Sequence, residues 1–300
     1  MHYETITLAV PQPYAFAMSV CDHGWPALAP FRWDEREQTL ERVEHIDTQV
    51  VLMRIFGKAS TIVVEVSSIQ PLSTAAIAEL TRRTRWMLKL DQDYSEFYRL
   101  AAEHARIGRV VRQGRGRLLR SPTLWEDVVK TIATTNVTWR NTVAMVQRLV
   151  DTLGDPYPLD PTRRAFPTPQ QVATADPALF AATIRMGYRN GYIQQLAQEI
   201  NSDERILDAR RLSSLPTTEL KKELKSIKGI GDYAAHTLLM LLGHYREVPI
   251  DSEYRSFVQQ RYFADGYASG ADLPNDKVIA AVYDDWGDWK YLAYWFDHYD

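Results

Sequence analysis

Residues 224–255 read LKSIKGIGDYAAHTLLMLLGHYREVPIDSEYR, and this stretch decides the fold. The pattern is a helix, a Gly229-Ile230-Gly231 turn, a second helix and a short extended exit ending on one carboxylate, Asp251. The first helix is predicted from about Thr217 to Ile227. Thr217-Thr218-Glu219-Leu220 reads as a capping box, and Leu220, Leu224 and Ile227 share one face. Gly229 and Gly231 suit a turn with positive φ and close backbone approach. The second helix is predicted to begin near Asp232, so the whole hairpin spans 217–243. Such a turn offers backbone N–H groups, backed by a helix N-terminus, to a phosphate. Asp251 follows Pro249-Ile250 and opens another helical pattern. A phosphate-gripping hairpin with a carboxylate one helix downstream points to DNA backbone binding beside chemistry on a sugar.

In this combination the segment resembles the helix-hairpin-helix and following aspartate of the base-excision DNA glycosylase superfamily. Other stretches fit the same resemblance. Ile184–Ile200, IRMGYRNGYIQQLAQEI, is similar to the helix that 8-oxoguanine glycosylases place just before the hairpin. Thr131–Arg140, TIATTNVTWR, resembles the loop where those enzymes carry an asparagine that fills the gap left by an extruded base, and Asn136 falls on it. Leu90–Phe97, LDQDYSEF, resembles the entry to the helical region shared by 8-oxoguanine and alkylpurine glycosylases. The C-terminal WGDWKYLAYWF resembles their closing helix. A fainter echo lies in Pro30-Phe31-Arg32-Trp33.

The fold expected is α+β. Residues 1–88 alternate short apolar runs with turn signals: Glu41-Arg42-Val43, Gln49–Ile55 and Thr61–Val66, with Gly57–Ser60 reading as a hairpin turn. Pro71-Leu72-Ser73 then opens a helical pattern from Thr74 to Leu90. A small antiparallel sheet with a helix is the expectation, as in the amino-terminal domain of those two branches. Residues 89–300 form the second, helical domain, since periodicity from Tyr94 onward is helical between prolines. Gly154–Pro169 reads as an irregular loop. There is no internal repeat and no low-complexity tract.

Composition bounds the reading from outside. The 300 residues are 45% apolar and 24% charged, as in ordinary soluble proteins of about two domains. No apolar run approaches the ~18 residues of a spanning helix, and the N-terminus lacks a signal pattern. A single cysteine, Cys21, allows no intrachain disulfide and fits a reducing compartment. Within the resemblance it also excludes the four-cysteine iron–sulfur loop of the endonuclease III branch. The net charge of −3 is unusual for a DNA-binding protein, but charge is unevenly spread. Ala105–Arg120, ARIGRVVRQGRGRLLR, carries six arginines and no acid, and reads equally as a solvated loop or a phosphate track. Arg210, Arg211, Lys221, Lys222, Lys225 and Lys228 precede the hairpin. Acids gather at Asp284, Asp285, Asp288, Asp297 and Asp300.

Cleaving an N-glycosidic bond builds positive charge on the deoxyribose, so a nearby carboxylate stabilises the oxocarbenium-like state. Asp251 fits that need and can also orient the attacking water. It equally fits an N-cap, and the two roles are compatible. Glu253, two residues on, reads as a first-turn helix acid. Bifunctional members of the superfamily carry, at the position of Tyr233, a lysine that attacks the sugar as a Schiff-base nucleophile. A phenol cannot form an imine, so β-lyase activity is not expected. Tyr233 either walls the base pocket or packs its helix. Lys228, Gly229, Ile230 and Gly231 are the candidate phosphate contacts, with Lys228 as a phosphate contact or solvated cation. Asn136 is the candidate gap filler, or a turn residue. Among the C-terminal aromatics, Trp295 is the candidate to sandwich an extruded base.

Seven histidines show no metal spacing, and there is no Walker, dinucleotide or Ser-His-Asp pattern. The expectation is a monofunctional DNA N-glycosylase of base-excision repair, removing an alkylated purine such as 3-methyladenine. Mismatch uracil or thymine excision, oxidised-purine excision and non-catalytic lesion or structure binding stand as alternatives. The expected partner is double-stranded DNA with a damaged or mispaired base, met by a monomer away from membranes. No metal, iron–sulfur cluster or organic cofactor is expected, beyond a monovalent cation at the hairpin. The expected location is a bacterial nucleoid or a eukaryotic nucleus.

Overall fold

Met53 and Ile55 face Val66 and Val64 across a hairpin, and Val51 and Ile62 lie on the same face, all six buried, while the residues between them along each strand are partly or fully exposed. This period-two pattern builds one face of a five-stranded antiparallel sheet of order β1-β5-β4-β3-β2. The strands are β1 His2–Ala9, β2 Arg32–Asp34, β3 Thr39–Ile46, β4 Gln49–Lys58 and β5 Thr61–Ser68. The computed structural model describes residues 1–264 and 275–299, so Asp300 lies outside the described residues. Gly57 sits within β4, not in the turn. A Cβ there would stand 2.9 Å from Phe16 Cβ, so the glycine permits close packing. The turn itself is Ala59-Ser60, with Ala59 at φ 52°. Helix Thr74–Met87 covers the sheet through Ala76, Leu80, Thr84 and Met87, and Ser73 caps it by accepting the Ala76 N–H at 3.0 Å. It ends at Met87, short of the expected Leu90.

The remainder is mainly helical, with one exception to the expectation. Within the stretch read as an irregular loop, β6 Pro156–Tyr157 pairs with β7 Asp160–Arg164. Tyr157 and Ala165 pack on Val43, and the Tyr157 hydroxyl bonds Ser67 at 2.8 Å. Prolines disguise this ribbon in the sequence. A two-stranded ribbon leaves each strand a free edge, where a missing N–H costs little.

The second half of the arginine run is neither a solvated loop nor a phosphate track, whereas Arg112 in the first half is exposed. Arg115, Arg117 and Arg120 are 8%, 3% and 7% exposed. Arg117 donates to the carbonyls of Lys89 and Gln92, and Arg120 to those of Trp86 and Leu241. Buried Lys89 donates to the Met240 carbonyl at 2.7 Å and to the Tyr245 hydroxyl. Arg120 and Lys89 thus bind the C-terminal ends of helices Thr74–Met87 and Asp232–Leu242, where the helix dipole favours positive charge, and Arg117 ties down the chain just beyond Met87. Burial pulls the Arg120 guanidinium down to about 10 and, with Arg120 beside it, holds the Lys89 amine well below its ordinary value.

Helix Asp232–Leu242 is apolar nearly all round, with Ala234, Ala235 and every residue from Leu238 to Leu242 buried. It is therefore the central helix of this half. One continuous cluster of buried side chains runs from the sheet through it to the closing helix Lys290–His298. No helix among the described residues is long and apolar enough to cross a membrane.

Candidate active site

The first hairpin helix spans Thr217–Ser226 and buries Leu220 and Leu224. No capping box forms. Pro216 takes the N-cap position, which places Thr217 inside the first turn with its hydroxyl paired to His244 Nδ1 at 3.0 Å. The turn closes with the Ile230 N–H on the Ile227 carbonyl at 3.0 Å. Gly229 takes φ 95°, and a Cβ there would stand 2.7 Å from the Tyr192 ring, so two independent constraints require glycine. Gly231 differs from the expectation of positive φ. At φ −88° and ψ −171° it is extended and acts as N-cap without a side chain. The first-turn N–H groups that follow are left open to an anion. Lys228 is exposed, its ammonium 5.4 Å from the Tyr192 ring centroid.

Asp251 is the N-cap of helix Ser252–Tyr262, its Oδ1 accepting the Tyr254 N–H at 2.9 Å. It also lines a cavity of about 330 Å³ with Tyr233, Glu253, Tyr291, Tyr294, Trp295 and Tyr299. The cap and a place in the cavity are therefore compatible: one carboxylate oxygen fixes the side chain through the cap, and the residue lines the cavity. Tyr233 is 55% exposed, which removes the alternative that it merely packs its helix. Trp295 stacks on Tyr291 at 15° and meets Tyr299 with ring centroids 4.5 Å apart.

Three further cavity residues come from the amino-terminal half: His23, Gly24 and Trp25. Long-range polar contacts bring them there. The Trp25 indole donates to Asp127 at 2.7 Å. Trp295 Nε1 donates to the Asp22 carbonyl at 3.0 Å, while the Asp22 carboxylate pairs with buried Arg115 at 2.6 Å. A Cβ on Gly24 would lie 2.8 Å from the Trp139 ring, so glycine lets this loop meet the opposite wall. Burial pushes the His23 imidazole down to about 3, helped by Lys89, so it is neutral at physiological pH. These residues carry no local sequence signal. Only the faint Pro30–Trp33 likeness pointed to their neighbourhood.

A surface cleft of about 620 Å³ adjoins the cavity and shares Thr134, Val137 and Tyr233 with it. Gly229, Gly231 and Asn136 line the cleft. Asn136 is exposed at φ 49°, in the left-handed region that asparagine tolerates, and its amide donates to the Tyr188 hydroxyl at 3.4 Å. Buried Arg189 shapes this loop by donating to the carbonyls of Ile132 and Thr135 at the end of helix Leu124–Thr134. The structure thus gathers the residues named from sequence into two adjoining spaces. Asp251, Tyr233 and Trp295 line the cavity, while Asn136, Gly229 and Gly231 line the cleft. Ile230 is 5% exposed, so its side chain packs inward and anchors the turn. Lys228 lines neither space.

A scan against protein-family models finds no match, and no curated protein matches in sequence. Solved structures do match in fold. A 3-methyladenine DNA glycosylase from Archaeoglobus fulgidus superposes with a TM-score of 0.72 at 18% identity, covering 97% of each chain. The 8-oxoguanine glycosylase/lyase of Clostridium acetobutylicum, free of DNA, gives 0.72 at 16% identity, covering 99% of this chain and 96% of that one. MBOgg1, solved with a low-affinity DNA ligand, gives 0.69 at 19% identity over 99% of both chains. The chain has the fold of the helix-hairpin-helix DNA glycosylases.

Proposed function

We propose that the protein is a monofunctional DNA N-glycosylase that removes an alkylated purine. The observation that carries this reading is the placement of Asp251 and Tyr233 in an aromatic cavity beside a hairpin whose backbone N–H groups are open to phosphate. DNA docks through the hairpin, Asn136 enters the gap in the duplex, and the extruded nucleotide reaches the cavity past Tyr233. Trp25, Tyr291, Tyr294 and Trp295 offer electron-rich faces to an electron-poor base, as an N-alkylated purine is. The glycosidic bond breaks with its electron pair leaving on the base. Asp251 stabilises the resulting charge on the sugar, and water adds at C1′ as its proton passes to the carboxylate. No step requires a metal or organic cofactor. Tyr233 supplies no amine, so the product is an intact abasic site.

Purified protein incubated with duplexes that each carry one modified base tests this directly. Strand breaks should appear for 3-methyladenine or 7-methylguanine duplexes after hot alkali and not before. Breaks without alkali, or excision confined to mispaired thymine, uracil or 8-oxoguanine, would replace this reading with the corresponding alternative. Binding without excision of any base would mark a non-catalytic lesion-binding protein.

A further inference from the structure

The cavity contains a second carboxylate that the reaction described above does not use. Glu253 lines it together with Asp251, and no lysine or arginine does so among the described residues. The Glu253 side chain is 58% exposed, which places it at the cavity mouth. Its Oε1 accepts the Tyr299 hydroxyl at 2.8 Å, and Tyr299 in turn packs on Trp295. His298 Nδ1 lies 4.0 Å from the same oxygen, but partial burial lowers that imidazole below its ordinary value. Arg255, the nearest arginine in sequence, is committed to Asp276. Glu253 is therefore an oriented carboxylate with no lysine or arginine paired to it among the described residues, beside rings that favour positive charge.

We infer that Glu253 is a specificity-determining residue: with Asp251 it makes the cavity select a base carrying a formal positive charge over a neutral base of similar size. This rests on the glycosylase reading and assigns charge selection to one residue within it. A carboxylate at the mouth attracts a cationic base as it enters and gains nothing from a neutral one. If Glu253 served only as a first-turn acid of helix Ser252–Tyr262, its charge would affect stability and leave selectivity alone.

The test compares wild type with Glu253→Gln, a near-isosteric change at an exposed position. Single-turnover excision is measured on duplexes containing 7-methylguanine, which is cationic, and hypoxanthine, which is neutral. The ratio of the two rates should fall about tenfold in the variant, the scale of two unit charges a few ångströms apart in the water-like surroundings of an exposed side chain. The same ratio in both proteins overturns the inference while the glycosylase reading stands. If wild type excises neither base, the glycosylase reading fails and a binding measurement decides the inference. There the permanently charged N-methylquinolinium is titrated against quinoline, without DNA. A cation preference that weakens about tenfold in Glu253→Gln supports charge selection, and equal preference in both proteins removes it.

Discussion

Two basic segments look alike in the sequence and behave in opposite ways in the fold. Arg115, Arg117 and Arg120 are buried and spend their donors on Asp22 and on backbone carbonyls at helix ends. Lys222, Lys225 and Lys228, before the hairpin turn, are exposed. A buried cation needs fixed acceptors within reach, and the C-terminal carbonyls of two helices supply them. An exposed cation needs only water, and stays available to phosphate. Density of positive charge therefore says little about DNA contact until the surrounding acceptors are known. The net charge of −3 is equally uninformative, because it sums structural and available groups of both signs without regard to where they lie.

If this division is correct, the largest functional loss should come from neither segment but from the cavity carboxylate Asp251. Asp251→Asn should lower excision by on the order of 10²-fold or more through lost charge stabilisation at the sugar. Thermal stability and duplex affinity should change little, because the amide oxygen can still accept the Tyr254 N–H. Single-turnover rates beside a melting curve and an anisotropy titration measure all three. Wild-type excision by the variant would move the chemistry to another acid.

The buried segment should answer in stability alone. Arg120→Met leaves the Trp86 and Leu241 carbonyls without their donor and removes the guanidinium from 3.3 Å over the Trp86 ring. A loss of about 2–4 kcal/mol is expected in a denaturant titration. The folded fraction should bind DNA as wild type does. Weaker DNA binding at unchanged stability would put Arg120 in the interface and break the comparison.

The turn between the hairpin helices should show the converse. Gly229→Ala places a Cβ against Tyr192 at a backbone φ of 95°. Affinity should drop about tenfold for damaged and undamaged duplexes alike, since phosphate contacts position the protein without reading a base. A drop confined to the damaged duplex would assign the turn to base recognition.

How much of this was legible in the sequence follows the range of the interactions. The hairpin, helix Asp232–Leu242 and the Asp251 cap depend on neighbours a few residues away, and their patterns were readable. So were the core strands β4 and β5, through their alternation, while β3 showed only as the short run Glu41-Arg42-Val43, since residues on both of its faces are buried. Strand β1 was missed because it gains meaning only by pairing with β5, from His2 opposite Ser68 to Ala9 opposite Thr61. The cavity wall at His23–Trp25 depends on Asp127 and Trp295, both more than a hundred residues away in the chain. The arginine run was ambiguous because its acceptors, Trp86 and Leu241 among them, belong to helices far apart in sequence. Such contacts leave no periodicity to read.

The smallest expected effect belongs to a single exposed cation. Lys221 pairs with Glu247 and Lys225 with Asp232, whereas Lys228 has no carboxylate partner among the described residues and stands immediately before Gly229. Its charge is therefore the one in this segment most available to a phosphate docked on the turn. Lys228→Ala should leave stability unchanged, because the ammonium is solvated and its contact with Tyr192 is long, at 5.4 Å. Duplex affinity should weaken a few-fold, and the slope of log affinity against log salt should become shallower by about one unit. Anisotropy titrations at several salt concentrations measure that slope. An unaltered slope would show that Lys228 faces water even in the complex. The hairpin would then grip DNA through its backbone N–H groups alone, and exposed lysines would be no better a guide to DNA contact than the buried arginines.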